Sequence, residues 1–179
     1  MLRADLPAVL AIEVQANPVP WMAVDFDAFL REPVQLSVPY QEPAGQGIVA
    51  APGLSVGAGR ASGPMGWVWA NPEVQGFACV VAAADEAELQ SIAVAQDRWG
   101  RGVGSALMEV LCAWARENGF LNLHLEVREG NVRAREFYAR WGFAPSGRRA
   151  KYYRDNAEAA VLMSKTLLET GEAREGKGA

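Results

Sequence analysis

A glycine-rich turn between a strand and a helix constrains this chain more than any other feature. Gly100, Gly102 and Gly104 stand at alternate positions, at the start of a helical run of apolar residues. The preceding segment, 89–94, has the apolar composition of a buried strand. Glycine lets the backbone come close to a ligand, and the first N–H groups of a helix lack intrahelical partners. The sequence therefore predicts a strand–turn–helix site for a phosphate-bearing molecule.

Two common phosphate-binding motifs do not fit this turn. A P-loop requires Lys followed by Ser or Thr after its last glycine, whereas Ser105 and Ala106 follow here. A dinucleotide-binding fingerprint requires a third glycine at the position that Leu107 occupies. Two interpretations remain open on the glycines alone. The backbone amides bind a pyrophosphate, as in coenzyme A binding, or the turn only packs a helix.

Composition argues against several classes of protein. The 179 residues, half of them hydrophobic, suffice for one globular domain, and the net charge of −4 disfavours nucleic acid as a partner. Cys79 and Cys112 have apolar neighbours, so we interpret them as reduced core residues. With His124 as the only histidine, no zinc cluster and no other metal site is expected. The N-terminus does not resemble a signal peptide and no apolar run reaches transmembrane length, which predicts a cytoplasmic protein with no membrane partner.

The order of the predicted elements indicates one α/β domain over residues 1–168. Asp5 is predicted to cap the first of two short helices. A region rich in Gly, Ala, Pro and Ser at 39–64 is predicted to be a long flexible loop with one strand near 47–51, and residues 169–179 to be a disordered tail. The remaining elements are strands at 66–69, 76–82, 86–94, 121–127, 148–153 and 159–166, and helices that start near 103 and 132 and end at Gly119 and Gly142. This order favours an α+β mixed sheet with helices on both faces.

Residues downstream of the turn are candidate acid–base groups. Glu126 lies on the polar face of its predicted strand with His124, and Tyr138 follows on the next helix, which Asn131 can cap. A carboxylate can take the proton that an amine loses when it attacks a thioester, and a phenol can protonate the departing thiolate. Backbone N–H groups of 92–94 can stabilise the oxyanion. Taken singly, Glu126 also fits a solvated carboxylate and Tyr138 a core aromatic residue, and these alternatives stay open.

In combination these motifs resemble the GNAT acetyltransferase superfamily. The resemblance rests on Ile92-Ala93-Val94, the glycine turn, Leu125-Glu126-Val127-Arg128, Asn131 and Phe137-Tyr138-Ala139-Arg140-Trp141-Gly142-Phe143. Within the superfamily, the chain is similar to the bacterial ribosomal-protein-alanine N-acetyltransferases in Asp5-Leu6-Pro7, Ile12-Glu13, Pro20-Trp21 and the run Arg148-Arg149-Ala150-Lys151-Tyr152-Tyr153. The resemblance implies a GNAT fold, with a sheet splayed between the strands that end near Val94 and Val127 and acetyl-CoA in the gap.

The resemblance also implies a role for each matching residue. Glu126 corresponds to the proton acceptor and Tyr138 to the proton donor. The implied acetyl-CoA contacts are Ile92, Ala93, Val94, Gly100, Arg101, Gly102, Val103, Gly104, Ser105 and Asn131. The implied acceptor is a protein N-terminal amine, such as that of a ribosomal protein. Alternative acceptors are a small-molecule amine and a lysine side chain. A further alternative is a regulator that binds acyl-CoA without turnover. We expect the protein to be a monomer or a homodimer.

The chain departs from the superfamily at several positions. Trp99 stands where the family usually has Gln or Arg, which would leave phosphate binding to the backbone amides and Arg101. The segment 39–64 is longer and richer in glycine than is usual, which leaves the acceptor open. The candidates to line an acceptor groove are Trp21, Tyr152 and Tyr153, and the basic residues that could meet an acidic acceptor or a ribosomal surface are Arg148, Arg149 and Lys151.

Overall fold

The structure, a computed structural model, describes residues 1–30, 48–49, 63–70 and 73–167. Its elements in chain order are α1 (Leu6–Ala16), α2 (Ala23–Phe26), β1 (Ile48–Val49), β2 (Gly63–Ala70), β3 (Val74–Ala83), β4 (Glu86–Val94), α3 (Val103–Glu117), β5 (Asn122–Arg128), α4 (Val132–Arg140), β6 (Ala144–Arg149) and β7 (Ala160–Thr166). Short 3-10 helices lie at Arg3–Asp5, Asp27–Phe29 and Gln96–Arg98. The strand predicted near 47–51 is present as β1. The rest of the predicted loop up to residue 62 and the predicted tail lie outside the described residues.

The strands form one mixed sheet in the order β1-β2-β3-β4-β5-β7-β6. Neighbouring strands are antiparallel except β4 and β5, which are parallel and are joined by the α3 crossover. This arrangement confirms the predicted α+β mixed sheet. It also puts the carboxyl end of β4, the glycine turn and the carboxyl end of β5 at the same edge of the sheet.

The sheet opens between β4 and β5. The two strands pair from Glu86 with Asn122 to Leu89 with Leu125 and then separate. A bulge lies at this point: Leu89 pairs with Val80 and Ser91 with Cys79, so Gln90 is an extra residue in β4. A bulge bends its strand and increases the local twist. Beyond Gln90, β4 continues with β3 and β5 continues with β7, which leaves the wedge-shaped gap that the resemblance implied.

Alternating side chains of the sheet face two separate cores. On one face, α3 and α4 cover a core that includes Trp67, Leu111 and Trp114. On the other face, α1 and the short helices after it cover a core that includes Ile12, Phe26 and Phe77. Helices on both faces were predicted from the element order, and the two cores confirm this.

Helix ends agree with the predictions at three sites and in part at a fourth. Asn131 Oδ1 accepts a hydrogen bond from Ala134 N at 3.1 Å, so the predicted cap of α4 is confirmed. Gly119 and Gly142 have φ of +71° and +84°, left-handed values that favour glycine at a helix end. Asp5 is the N-cap residue of α1, as predicted, but its side chain makes no capping hydrogen bond to that helix. Its carboxylate accepts from Leu2 N at 2.7 Å and so belongs to the 3-10 helix that precedes α1.

The strand predicted at 148–153 is also wrong in its position. The observed strand β6 spans Ala144–Arg149 and is exposed throughout. Lys151 has a φ of +51°, which ends extended pairing there. The backbone N–H groups of Tyr152 and Tyr153 both donate to Glu158 O, which folds this stretch back towards β7. The sequence of 148–153 alone does not reveal this reversal, because it depends on the backbone of Glu158, several residues further along the chain.

The two cysteines agree with the sequence-based expectation. Cys79 and Cys112 are both free and buried. Burial raises the pKa of the Cys79 thiol, which keeps it protonated and unreactive. Among the described residues, no helix combines the length and the apolar character needed to cross a membrane.

Candidate active site

Two adjoining cavities occupy the gap between β4 and β5. The first, here the glycine-side cavity, has a volume of about 520 Å³ and is bounded by Gly100, Gly102 and Gly104. The second, here the carboxylate-side cavity, has a volume of about 790 Å³ and is bounded by Asp25, Glu126 and Glu158. The residues that line both cavities are Ala16, Ile92, Asn131, Ala134 and Tyr138. A ligand in one cavity can therefore meet a ligand in the other beside Tyr138.

The glycine turn has a backbone that only glycine adopts easily. Gly100 and Gly102 have φ of +74° and +85°, and a Cβ on either would meet nothing within 4 Å. These glycines thus serve the path of the backbone and not close packing. The glycine that packs α3 against the sheet is Gly76, where a Cβ would lie 2.9 Å from Ala93 O and 3.0 Å from a Val103 methyl carbon. This geometry disfavours the interpretation of the turn as a packing device.

The amino terminus of α3 presents free donors to the glycine-side cavity. Gly102 is the N-cap residue and offers no side chain, and its carbonyl accepts the first helical bond from Ala106 N. The N–H groups of Val103, Gly104 and Ser105 precede that bond, and all three residues line the cavity. Unpaired N–H groups and the positive end of the helix dipole together favour a phosphate group.

Arginine side chains add positive charge to the same cavity. Arg98, Arg133 and Arg140 line it, and its lining includes no carboxylate among the described residues. Arg101, which the resemblance implied as a contact, is exposed and does not line the cavity. The sequence did not indicate Arg133 or Arg140, because they reach the cavity from α4.

Trp99, the main departure from the usual pattern, has a defined place in the turn. Its indole Nε1 donates to Val94 O at 2.8 Å, which ties the turn to the end of β4. The guanidinium of Arg133 lies 3.7 Å from the centre of its ring. Trp99 therefore links β4, the turn and α4, and it orients a positive charge towards the cavity.

The segment Ile92-Ala93-Val94 supplies a free strand edge. Its residues pair with Gly76, Phe77 and Ala78 of β3 on one side, and β5 has already separated on the other. All three residues line the glycine-side cavity. Backbone groups on the open edge are therefore available to an extended ligand or to a developing oxyanion.

Glu126 lines the carboxylate-side cavity and is covered by side chains from the last residue of β6 and the segment after it. Its Oε1 lies 3.0 Å from Arg149 Nη1, and its side chain is 18% exposed. The Tyr152 hydroxyl donates to the same carboxylate, and this hydrogen bond raises the pKa of Tyr152. The sequence placed Arg149 and Tyr152 at the acceptor side but did not indicate this contact with Glu126. The neighbouring Arg148 instead pairs with Glu129 at 2.7 and 2.8 Å.

Tyr138 is a buried hydroxyl at the junction of the two cavities. Its ring packs edge-on against Phe137 and Phe143, with centroid distances of 5.6 and 5.9 Å. Burial raises the pKa of Tyr138, so the hydroxyl keeps its proton at neutral pH. Tyr138 lines both cavities.

His124 lies outside both cavities. Its Nε2 is 3.4 Å from Glu86 Oε1, at the end of the sheet where β4 and β5 are still paired. It therefore does not join Glu126, although both lie on the same face of β5.

The outer wall of the carboxylate-side cavity combines two distant segments. Residues 17–21 line it from the α1–α2 connection, and Tyr153 and Glu158 line it from the β6–β7 connection. Arg128 holds the second segment: its guanidinium lies 3.8 Å from the Tyr153 ring centre and 3.2 Å from Glu158 Oε2. Of the aromatic residues expected in the groove, Trp21 and Tyr153 line the cavity.

Comparisons with known proteins agree with this geometry. The family model described as the acetyltransferase (GNAT) family matches residues 8–143. A ribosomal protein bS18-alanine N-acetyltransferase of Escherichia coli (strain K12) is 36% identical over 96 residues, or 52% of this chain and 65% of that protein. Streptothricin acetyltransferase A of Bacillus subtilis (strain 168) is 44% identical over 55 residues, or 31% of this chain and 32% of that protein. The chain thus spans less than two thirds of the length of these relatives in the matched segments.

A solved structure extends the similarity to the whole fold. The crystal structure of the ribosomal-protein-S18-alanine N-acetyltransferase from Escherichia coli superposes with a TM-score of 0.72 at 27% identity. The superposition covers 97% of this chain and 94% of that one. With the family model matching well over half of its length, the chain belongs to the GNAT acetyltransferase family.

Proposed function

We propose that this protein transfers an acetyl group from acetyl-CoA to a protein N-terminal amine. The observation that carries the proposal is the pair of cavities that meet at Tyr138, one lined by helix N–H groups and arginines and the other by three carboxylates and Arg128. The first suits the phosphates of a nucleotide-linked thioester, and the second suits a positively charged amine.

Acetyl-CoA fits the glycine-side cavity by its chemistry. The N–H groups of Val103, Gly104 and Ser105 would bind the pyrophosphate, and Gly100 and Gly102 would let the backbone of the turn come close to it. The open edge at 92–94 would bind the amide groups of the pantetheine arm. Asn131 would orient the acyl end from the start of α4, since it lines both cavities.

Glu126 and Tyr138 would supply the two proton transfers of acetyl transfer. The acceptor amine must lose a proton as it attacks the thioester, and Glu126 would receive that proton through a water molecule. The departing thiolate would take the proton of the Tyr138 hydroxyl, which burial keeps in place at neutral pH. Neither Cys79 nor Cys112 lines either of these two cavities, so direct transfer without an acyl-enzyme is the simplest mechanism.

The acceptor class rests on relatives and on the shape of the site. The Escherichia coli relatives are named for acetylation of an alanine of a ribosomal protein, which supports a protein N-terminus. The streptothricin acetyltransferase relative supports a small-molecule amine as the second candidate. A regulator that binds acyl-CoA without turnover would need neither Glu126 nor Tyr138 at the junction of the cavities.

Mass spectrometry of an acceptor panel tests the proposal. The panel contains short peptides with varied N-terminal residues and blocked or free lysines, together with free small amines, each incubated with acetyl-CoA. We expect acetylation of peptide α-amines, and about 10²-fold less product with the Tyr138→Phe variant in the same time. Acetylation confined to small amines or lysine side chains would exclude the protein N-terminus, and no acetylation of any amine would support a non-catalytic binder.

A further inference from the structure

Glu13 is a charged residue in an unusual environment. Its side chain is fully buried, with 0% exposed, in the core that α1 forms with Val9 and Ile12. Burial raises the pKa of this carboxyl, against hydrogen bonds that lower it. Burying an ionisable group costs stability unless it has partners, so a role beyond packing is expected.

The partners of Glu13 all belong to the connection after α1. Its Oε1 accepts from Asn17 Nδ2 at 2.6 Å and from Trp21 N at 3.2 Å. Its Oε2 is buried and makes no hydrogen bond to the part of the chain that the structure describes. One carboxylate oxygen thus accepts hydrogen bonds from both ends of the segment 17–21, namely from Asn17 and from Trp21.

This segment depends on such side-chain bonds. Pro18 and Pro20 have no backbone N–H, so the segment can donate few backbone hydrogen bonds of its own. The Trp21 ring packs on Phe26 and Phe29 with centroid distances of 5.2 and 5.6 Å, which anchors the far end. All residues from 17 to 21 line the carboxylate-side cavity, opposite Glu126 and Tyr153.

We propose that Glu13 is a positioning residue that holds the segment 17–21 as the wall of the acceptor site and so determines acceptor affinity. The assignment of that wall to the acceptor rests on the proposed function. Glu13 itself touches no substrate in this arrangement. It acts through Asn17 and the backbone of Trp21, while the acetyl-CoA side of the site does not depend on it.

Two substitutions at Glu13 separate its hydrogen bonds from its charge. Glu13→Gln keeps an oxygen that can accept from Asn17 and Trp21, whereas Glu13→Leu fills a similar volume without an acceptor. Gln15→Leu, on an exposed position of the same helix, is the matched control. Two measurements are made for each variant. NMR follows hydrogen exchange of the Trp21 backbone N–H, and steady-state kinetics with acetyl-CoA gives KM for the best acceptor of the panel. A peptide that begins with Ala is tried first.

We expect Glu13→Leu to lose protection of the Trp21 N–H and to raise KM for the acceptor roughly tenfold, about the equivalent of one hydrogen bond to a charged group. The Kd for acetyl-CoA should remain within about twofold of the wild-type value, because the glycine-side cavity is unchanged. Glu13→Gln and the control should resemble the wild type in both measurements. If Glu13→Leu does not fold, Asn17→Ala removes one of the two bonds at an exposed position and should raise the acceptor KM about threefold.

Separate results would overturn the inference and the proposed function. Unchanged Trp21 protection in Glu13→Leu, or an equal rise in the acceptor KM for Glu13→Gln and Glu13→Leu, would show that the Glu13 hydrogen bonds do not position the wall. An effect on acetyl-CoA affinity equal to that on the acceptor would contradict the assignment to the acceptor side. If no amine is acetylated, the proposed function fails, and the exchange of the Trp21 N–H alone decides whether Glu13 holds the segment.

Discussion

The two cavities share a wall at Tyr138 but are built in opposite ways. Most of the glycine-side cavity is lined by residues 92–105, whose backbone N–H groups and strand edge are fixed by regular elements, and α4 completes its lining. The carboxylate-side cavity is assembled from more separate stretches, at 16–25, 90–92, 126–138 and 153–158. Backbone geometry defines the first, and long-range side-chain contacts define the second. The first therefore suits an invariant ligand, and the second suits an acceptor that differs between relatives.

The largest effect is expected at Glu126, on the carboxylate side. Glu126→Gln should reduce kcat by about 10³-fold, because the amine then loses its proton acceptor. Raising the pH should restore part of the rate, since a larger fraction of the acceptor amine is already neutral. Steady-state kinetics over pH, with acetyl-CoA affinity measured in parallel, checks this. Glu129→Gln, which removes an exposed carboxylate paired with Arg148, is the control. Activity that stays near wild type in Glu126→Gln would remove Glu126 from the mechanism.

The next largest effect is expected where the cavities meet. Tyr138→Phe should reduce kcat by about 10²-fold while leaving the Kd for acetyl-CoA and the KM for the acceptor nearly unchanged. Because burial raises the pKa of Tyr138, the wild-type rate should show no loss from its ionisation up to pH 10, its ordinary pKa. Single-turnover measurements with both substrates bound isolate this step. A variant with full kcat, or one that binds acetyl-CoA far more weakly, would show that Tyr138 is not the proton donor.

A moderate effect is expected at the helix terminus on the glycine side. Ser105→Asp places a carboxylate in the first turn of α3. There it interacts favourably with the positive end of the helix dipole but repels a phosphate group. The Kd for acetyl-CoA should rise about tenfold or more at low salt, while the thermal stability is kept or increased. Isothermal titration calorimetry at two salt concentrations measures the Kd for acetyl-CoA. Ser105→Asn is the control, because Asn has the shape of Asp without its charge. Equal affinities of the two variants would exclude the α3 terminus as the pyrophosphate site.

The smallest effect is expected at Trp99, whose two contacts can be separated. Trp99→Gln removes the ring under Arg133 and the Nε1 bond to Val94 O, and should weaken acetyl-CoA binding about threefold to tenfold. Trp99→Phe keeps an aromatic ring under the guanidinium and should lose only part of that affinity. The acceptor KM should not change in either variant. If Trp99→Gln binds acetyl-CoA as well as the wild type, the link between β4 and α4 has no part in binding.

The sequence predicted the glycine side far better than the carboxylate side. The strand 86–94, the helix start at 103 and the Asn131 cap depend on local periodicity, glycine and capping chemistry, so they can be seen in neighbouring residues. The contacts of Arg149 with Glu126 and of Arg133 with Trp99 join residues more than 20 positions apart, and no local pattern contains them. The misplaced strand at 148–153 has the same cause. Its aromatic composition fits a strand, whereas the observed reversal depends on Glu158.

A crystal structure with coenzyme A and an acceptor peptide tests the central claim most directly. The two-cavity assignment predicts the pyrophosphate on the N–H groups of Val103, Gly104 and Ser105, the thiol within hydrogen-bonding distance of the Tyr138 hydroxyl, and the peptide α-amine on the Glu126 side between residues 17–21 and Tyr153. A pyrophosphate bound away from the start of α3, or an acceptor amine that enters from the glycine side, would contradict it.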